Sequence, residues 1–321
     1  MTSPNSTFTE MVTTTLRNHP TAVADNVSNQ NALYSRLKSR GKIKALSGGY
    51  EIVRPLDYAE NSTFQRYSGY DTLNVSASDV LSAAKYSWVQ SAIHVTASGL
   101  ELRQNSGKEA MINLVEARVT NAQRTAANNM SVDIYSTGAL SNQMGGLGLI
   151  VPSSGSGTVG GIASGTYTFW KSQVYESTAA TPSASTIQAD MRTTYMKCVR
   201  GGDKPDLIIF SHDYFNYYWG SLTALQRYGP DNSMAGAGFN QLKFLDADVI
   251  FDSNTNFATT AQVGYFLNTN YLELVEHRDA RWSRLTEKRS VNQDAEVIPL
   301  IWMGQLCCSN RSLQGKLKNE S

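Results

Sequence analysis

Ser211, His212 and Asp213 have the residue types of a hydrolase triad, and they stand next to one another in the chain. Three consecutive side chains at a helix start cannot converge on one substrate atom. Ser211 reads instead as the helix cap, and Asp213 as a first-turn acid complementing the helix dipole. Asp246, Asp248 and Asp252 lie close enough to suggest a divalent-cation site, since alternation puts the first two on one face of a strand. No nearby Gly-rich loop or His completes the coordination shell, so they read as polar strand ends. Glu276, His277 and Asp279 read the same way. The four histidines, His19, His94, His212 and His277, are too scattered for a multi-histidine metal site. Gly145-Gly146-Leu147-Gly148 lacks the GKS/T ending and the βαβ setting of a phosphate loop, and reads as a flexible loop. The sequence thus nominates no catalytic residue, metal or cofactor, and predicts a protein that is not an enzyme.

One charge run stands apart. Arg36, Lys38, Arg40, Lys42 and Lys44 alternate over nine residues. They form either a solvated face or a local patch toward DNA or acidic groups on a neighbour, whose contacts would be weak and salt-sensitive. The whole chain gives no such drive: 28 Lys plus Arg balance 27 Asp plus Glu, a net charge of +1. No apolar run approaches the roughly 20 residues needed to cross a bilayer. The polar segment Met1 to Ala24 lacks a signal-peptide stretch, which points to the cytoplasm. Cys198, Cys307 and Cys308 are odd in number and lack metal-ligand spacing, so reduced, packed thiols are expected.

At 321 residues the chain suits two interlocked domains better than one core. Met1 to about Gln30 is too rich in Ser, Thr and Asn to fold alone and reads as an arm. A short helix follows from the cap Asn31, with Leu33 and Leu37 one turn apart and Gly41 at its end. From Gly48 to Ser98 the pattern is a long, bent two-stranded ribbon. Its outgoing arm is Tyr50 to Leu56 and then Thr63 to Tyr67; its return arm, Tyr86 to Ala97, has Val89, Ile93 and Val95 opposite Trp88, Gln90 and His94. Such a ribbon is marginal in water and must lie on something, most simply another copy of the chain.

A long helix is predicted from Gly107 to Ser136, opened by a Ser106/Glu109 capping box, striped by Ile112, Val115, Val119, Ala122, Ala126 and Met130, and stopped by Gly138. Gly-rich turns after Met144 open an α/β unit. It has a helix from Thr186 to Val199 (Ile187, Met191, Tyr195), a buried strand Leu207 to Phe210, a helix from Ser211 (Phe215, Tyr218, Trp219, Leu222, Leu225) and a strand near Val249 to Phe251. Strands return at Tyr265 to Leu267, Tyr271 to His277 and Val297 to Cys308; Pro299 predicts a bend or an edge in the last.

This order of parts resembles the major capsid proteins of tailed bacteriophages, the Hong Kong 97 type. Several stretches look like one scaffold-dependent subgroup: Ser47-Gly48-Gly49, the run Glu60 to Tyr70 (ENSTFQRYSGY), Asn105 to Glu109 (NSGKE), and Cys308-Ser309-Asn310-Arg311. The resemblance implies an α+β fold with an N-terminal arm and short helix (1–47), an extended loop (48–98), a peripheral domain with a spine helix (99–144, returning at 261–321) and an axial α/β domain (145–260). It also implies hexamers and pentamers in an icosahedral shell around double-stranded DNA, within a virion assembled in the host cytoplasm. Expected partners are a separate scaffolding protein, a portal and a decoration protein, with weak non-specific contact to packaged DNA. No residue pair matches the Lys–Asn cross-link by which one family member joins its subunits. In the extended loop, Arg54, Asp57, Glu60, Arg66 and Asp71 offer charges for docking on neighbours, and Phe64, Tyr67 and Tyr70 offer aromatic anchors. The alternatives are an encapsulin-like nanocompartment shell, a hydrolase resting on the poor Ser-His-Asp cluster, and a tail or adhesion protein, for which no repeat is visible.

Overall fold

The computed structural model describes residues 31–104, 114–177, 182–222, 242–252, 262–285, 288–289 and 294–319. The predicted arm, the Ser106/Glu109 capping box, Ile112 and Leu225 lie outside these residues, as does the side chain of Val115. The described residues open with helix α1 (Ala32–Ser39). Asn31 caps it, accepting from the Tyr34 N–H at 2.8 Å and donating through Nδ2 to Ser131 Oγ at 3.0 Å. Strands β1 (Ile43–Leu46), β2 (Ile52–Asp57), β3 (Leu81–Tyr86) and β4 (Val89–Ser98) follow. A six-residue helix α2 (Gly99–Gln104) leads toward the spine helix α3 (Leu114–Ile134). Ala122, Ala126, Met130 and Ile134 form the buried stripe of α3, as the three- and four-residue spacing requires.

The long ribbon expected from the alternation pattern needs correction here: β2 pairs antiparallel with β3, from Ile52↔Tyr86 to Asp57↔Leu81. Of the expected return arm, Tyr86 to Ala97, Tyr86 ends β3, whereas Val89 to Ala97 instead falls in β4, which joins the body. Its alternation is real, but it records a sheet face covered by α3 rather than a free ribbon; Val95 and Ala97 are buried while Gln90 and His94 are exposed. The regular part of the projection is therefore short, six residues at about 3.3 Å each.

Two sheets make up the body. The five-stranded sheet runs in the order β1, β12 (Leu272–Arg284), β14 (Ala295–Cys308), β13 (Lys288–Arg289), with β4 also paired to β14. Pro299 sits in this central β14, paired with β4 on one side and meeting the expected edge locally on the other. Its carbonyl accepts from the Leu285 N–H at 3.0 Å, so its missing donor faces the point where β12 has just ended at Arg284.

The six-stranded sheet has the order β7 (Gln173–Glu176), β15 (Gly315–Asn319), β11 (Gln262–Leu267), β8 (Leu207–Phe210), β10 (Ala247–Phe251), β9 (Leu242–Phe244). Thus β11 and β15, expected in the returning peripheral segment 261–321, belong to the α/β sheet. Their apolar runs carry no mark of which sheet they join. All four residues of β8 are buried, as a strand covered on both faces demands. Ile208 and Phe210 pack with helices α5 (Ile187–Lys197) and α6 (His212–Leu222). Leu207 and Ile209 face a second core with Leu33, Leu37, Met130 and Ile134. That core also holds Leu274, Trp302 and Leu306 of the long sheet, so the two units share one interior. Tyr214 and Tyr218 are the buried ridge of α6.

The glycines at 145, 146 and 148 are packed, not mobile. A Cβ at Gly146 would collide with the Asp133 and Ile134 carbonyls, and one at Gly148 would lie 2.9 Å from the Ser136 carbonyl oxygen. They let helix α4 (Leu147–Ile150) press onto the end of α3, which sequence alone could not distinguish from loop glycine.

Candidate assembly interface

The base of the projection is locked to the body. Ile52, Leu56, Ala84 and Tyr86 form a buried cluster with Val159, Trp170, Val275 and Cys307. A small hairpin, β5 (Thr158–Val159) and β6 (Ile162–Ala163), braces β3: Gly160, at φ 60°, accepts from the Lys85 N–H at 2.9 Å, and any Cβ there would come within 2.8 Å of Ala84 Cβ. Tyr86 Oη donates to the Cys308 carbonyl at 2.7 Å and accepts from the Cys308 N–H at 3.1 Å. The β4–β14 ladder ends at the Val89–Gly304 pair, so this hydroxyl stands where a neighbouring strand is missing. Burial pushes the phenol well above its usual range.

Beyond Tyr58, whose ring packs against Phe169 of the body, the fixed contacts stay within the projection. Residues 58–80 contain no helix or strand. Asn61 Oδ1 accepts from the Thr63 N–H at 2.9 Å, Asn74 Oδ1 from the Ser76 N–H at 3.0 Å, and Asp71 Oδ2 from the Ser68 N–H at 2.8 Å. Such short side-chain turns set a shape without an apolar core. Tyr50, Val53, Phe64, Tyr67, Tyr70, Leu73, Val75 and Leu81 supply eight of the fifteen large apolar side chains exposed among the described residues. Monomers seldom leave such a concentration uncovered.

Most of the anticipated docking residues are on this projection. Asp57, Glu60, Phe64, Arg66, Tyr67, Tyr70 and Asp71 are all exposed. Arg54 is not free to dock: it pairs with Glu273 of β12 at 2.9 Å and fastens the base. The sequence pattern does not single out Tyr50, Leu73, Val75 or Leu81. The last three alternate in parity with the strand arms but sit in polar surroundings, which dilutes the signal.

The basic run is likewise divided. Helical geometry puts Arg36 and Arg40 one turn apart, facing the six-stranded sheet. Arg36 pairs with Asp248 at 2.8 Å, and Arg40 with Asp206 at 3.0 Å. Lys42 Nζ donates to the Asn270 carbonyl at 2.9 Å, whereas Lys38 and Lys44 are exposed. The partner aspartates lie about 170 or more positions away, beyond reach of a local reading.

The residues weighed for chemistry are dispersed. Asp248 serves Arg36, Asp246 serves Lys204, and buried Asp252 accepts from Tyr135 Oη at 2.7 Å. Ser211 Oγ accepts from the Val263 N–H at 3.4 Å, while the His212 ring lies 5.5 Å from that of Phe251. Glu276 is buried, taking Arg281 Nε at 2.7 Å and Trp302 Nε1 at 3.0 Å. Among the described residues no three His, Cys, Asp or Glu side chains form a metal-binding group, and no helix is long and apolar enough to cross a membrane. The three cysteines are free and buried, and burial pushes each thiol up to about 12.

No protein-family model and no curated protein matches the sequence. Solved structures do match over nearly the whole chain. A chain of the cyanophage A-1(L) capsid asymmetric unit superposes with a TM-score of 0.67 at 13% identity, covering 95% of this chain and 97% of that one. A chain of an empty GTA particle capsid covers 99% and 100%, with a TM-score of 0.63 and 10% identity. The SrpI encapsulin of Synechococcus elongatus covers 93% and 92%, with a TM-score of 0.58 and 7% identity. A projection fixed at its base and apolar at its tip, a spine helix and two sheets sharing one core are thus the parts of the Hong Kong 97-type capsid fold, and this chain has that fold.

Proposed function

We propose that this protein is the major capsid protein of a tailed bacteriophage, building the icosahedral head shell around a double-stranded DNA genome. The observation that carries the reading is the projection itself: its base is fixed and buried, while the projection as a whole carries eight of the fifteen large apolar side chains exposed among the described residues. On a capsid fold, such a projection gains stability by lying on a second copy. Function then resides in the contacts between subunits, with no catalytic step. Hexamers and pentamers would be the units of the shell. A separate scaffolding protein would guide assembly in the host cytoplasm, and a portal and a decoration protein would complete the virion. Lys38 and Lys44 would make weak contacts with packaged DNA or a neighbour.

The similarity to an encapsulin supports a second reading, a nanocompartment around a protein cargo. Expression with and without a candidate scaffold, followed by sedimentation and negative-stain microscopy, separates the outcomes. Closed shells are expected. Particles purified from infected cells would hold DNA on the first reading and a protein cargo on the second. A chain that stays monomeric in every condition would refute both.

A further inference from the structure

The uncovered side chains of the projection need a receptor, and the body carries a groove whose chemistry matches two of them. Between α3 and the long sheet lies an open groove of about 210 Å³, walled by Ile93, Met130, Met144, Trp282 and Trp302, with Asp133 also in its lining. The two tryptophan rings stack with centroids 6.4 Å apart, and Trp282 is held at φ 53°. A backbone held in that region by a non-glycine residue is costly and marks a position fixed by its surroundings. Asp133 accepts from Gln143 Nε2 at 2.9 Å, and no ion pair among the described residues involves it. Burial disfavours its charged form, as expected of a carboxylate in apolar surroundings without a cation.

The complementary pair is on the projection. Arg66 is the one Lys or Arg between Asp57 and Val80. Its guanidinium lies 5.9 Å from the centroid of the exposed Phe64 ring, so cation and aromatic group are presented together. We propose that the groove receives Phe64 and Arg66 of a second copy of the chain, the ring entering beside Trp282, Trp302 and Met130 and the guanidinium pairing with Asp133. The proposal takes its occupant from the shell reading, but its test does not require shells. Arg is suited to such a contact, because its flat, weakly hydrated head can stack on rings while it pairs with a carboxylate.

A synthetic peptide of residues 59–75 contains no tryptophan and comes from a segment without helix or strand, so it can be titrated against the full chain while tryptophan fluorescence is followed. The wild-type pair should show saturable binding, and Trp282→Phe should reduce the fluorescence change. Arg66→Asp in the peptide, or Asp133→Arg in the chain, should each weaken binding by about tenfold, and the two reversals combined should restore it to within about threefold. If Asp133→Arg does not fold by circular dichroism, Asp133→Asn replaces it and should show the tenfold loss. Binding that ignores both reversals would assign the groove to another occupant and overturn the proposal. So would absence of binding; formation of wild-type shells alongside that result would leave the shell reading standing.

Discussion

Replacing Phe64 and Tyr67 together with alanine should abolish assembly while leaving the subunit folded. The two side chains are 79% and 65% exposed. An aromatic side chain buries about 150–250 Å² when covered, so contact with a neighbour can remove about 300 Å² from water. At about 25 cal/mol per Å² that is about 7 kcal/mol per subunit as an upper limit. Alanine keeps part of the area, which leaves an expected loss of about 4 kcal/mol. The subunit concentration needed for assembly should then rise about a thousandfold. Since the rings have little cover in the free chain, its thermal midpoint should move by less than about 1 °C. Sedimentation velocity across a concentration series, with negative-stain images and a thermal scan of the unassembled chain, measures both quantities. Normal shells at the wild-type concentration would refute the anchoring role. A large fall in the thermal midpoint would show that the rings hold the subunit itself.

Three other perturbations probe the supports of the projection and body. Tyr86→Phe removes the group that satisfies both the Cys308 carbonyl and its N–H, costing about 2 kcal/mol and lowering the midpoint by about 4 °C; an unchanged scan would contradict the anchoring described. Gly146→Ala drives a methyl group into the Asp133 and Ile134 carbonyls, and denaturant unfolding should show a loss of about 2–3 kcal/mol. Hydrogen bonds from Arg118 and then the Ser98 N–H hold the Glu101 carboxyl down at about 2. Because this folded-state value lies below the ordinary 4.5, the pair stabilises the chain above about pH 4.5, and that contribution is lost as pH falls toward 2. Both side chains are partly exposed, so about 1 kcal/mol or less is at stake; Arg118→Ala should remove this part of the acid dependence in unfolding titrations.

Local periodicity carries much of the fold. Asn31, Leu33, Leu37 and Gly41 mark a helix because a cap, two apolar residues one turn apart and a stop fall within eleven positions. Ile187, Met191 and Tyr195 mark another, and all three are buried. Partnership between distant segments is not legible. The alternation of Val89 to Val95 identifies a strand but not whether β2 or β14 lies beside it. Arg36 and Arg54 look like free surface charges until Asp248 and Glu273 come up from remote strands. A glycine run reads as loop because close packing against a helix end leaves the same sequence trace as freedom. The aromatic residues Phe64, Tyr67 and Tyr70 stand out as candidates because large rings in a polar stretch have no local use. The groove at Asp133 does not, since it combines α3, β4, β12 and β14.

Amide hydrogen exchange across residues 58–80, compared between free chain and assembled particles, tests most directly whether this projection is where copies meet. The free chain should exchange there rapidly, because the segment is largely exposed and contains no helix or strand. In particles the same amides should become strongly protected. Exchange at 58–80 as fast in particles as in the free chain would contradict the account.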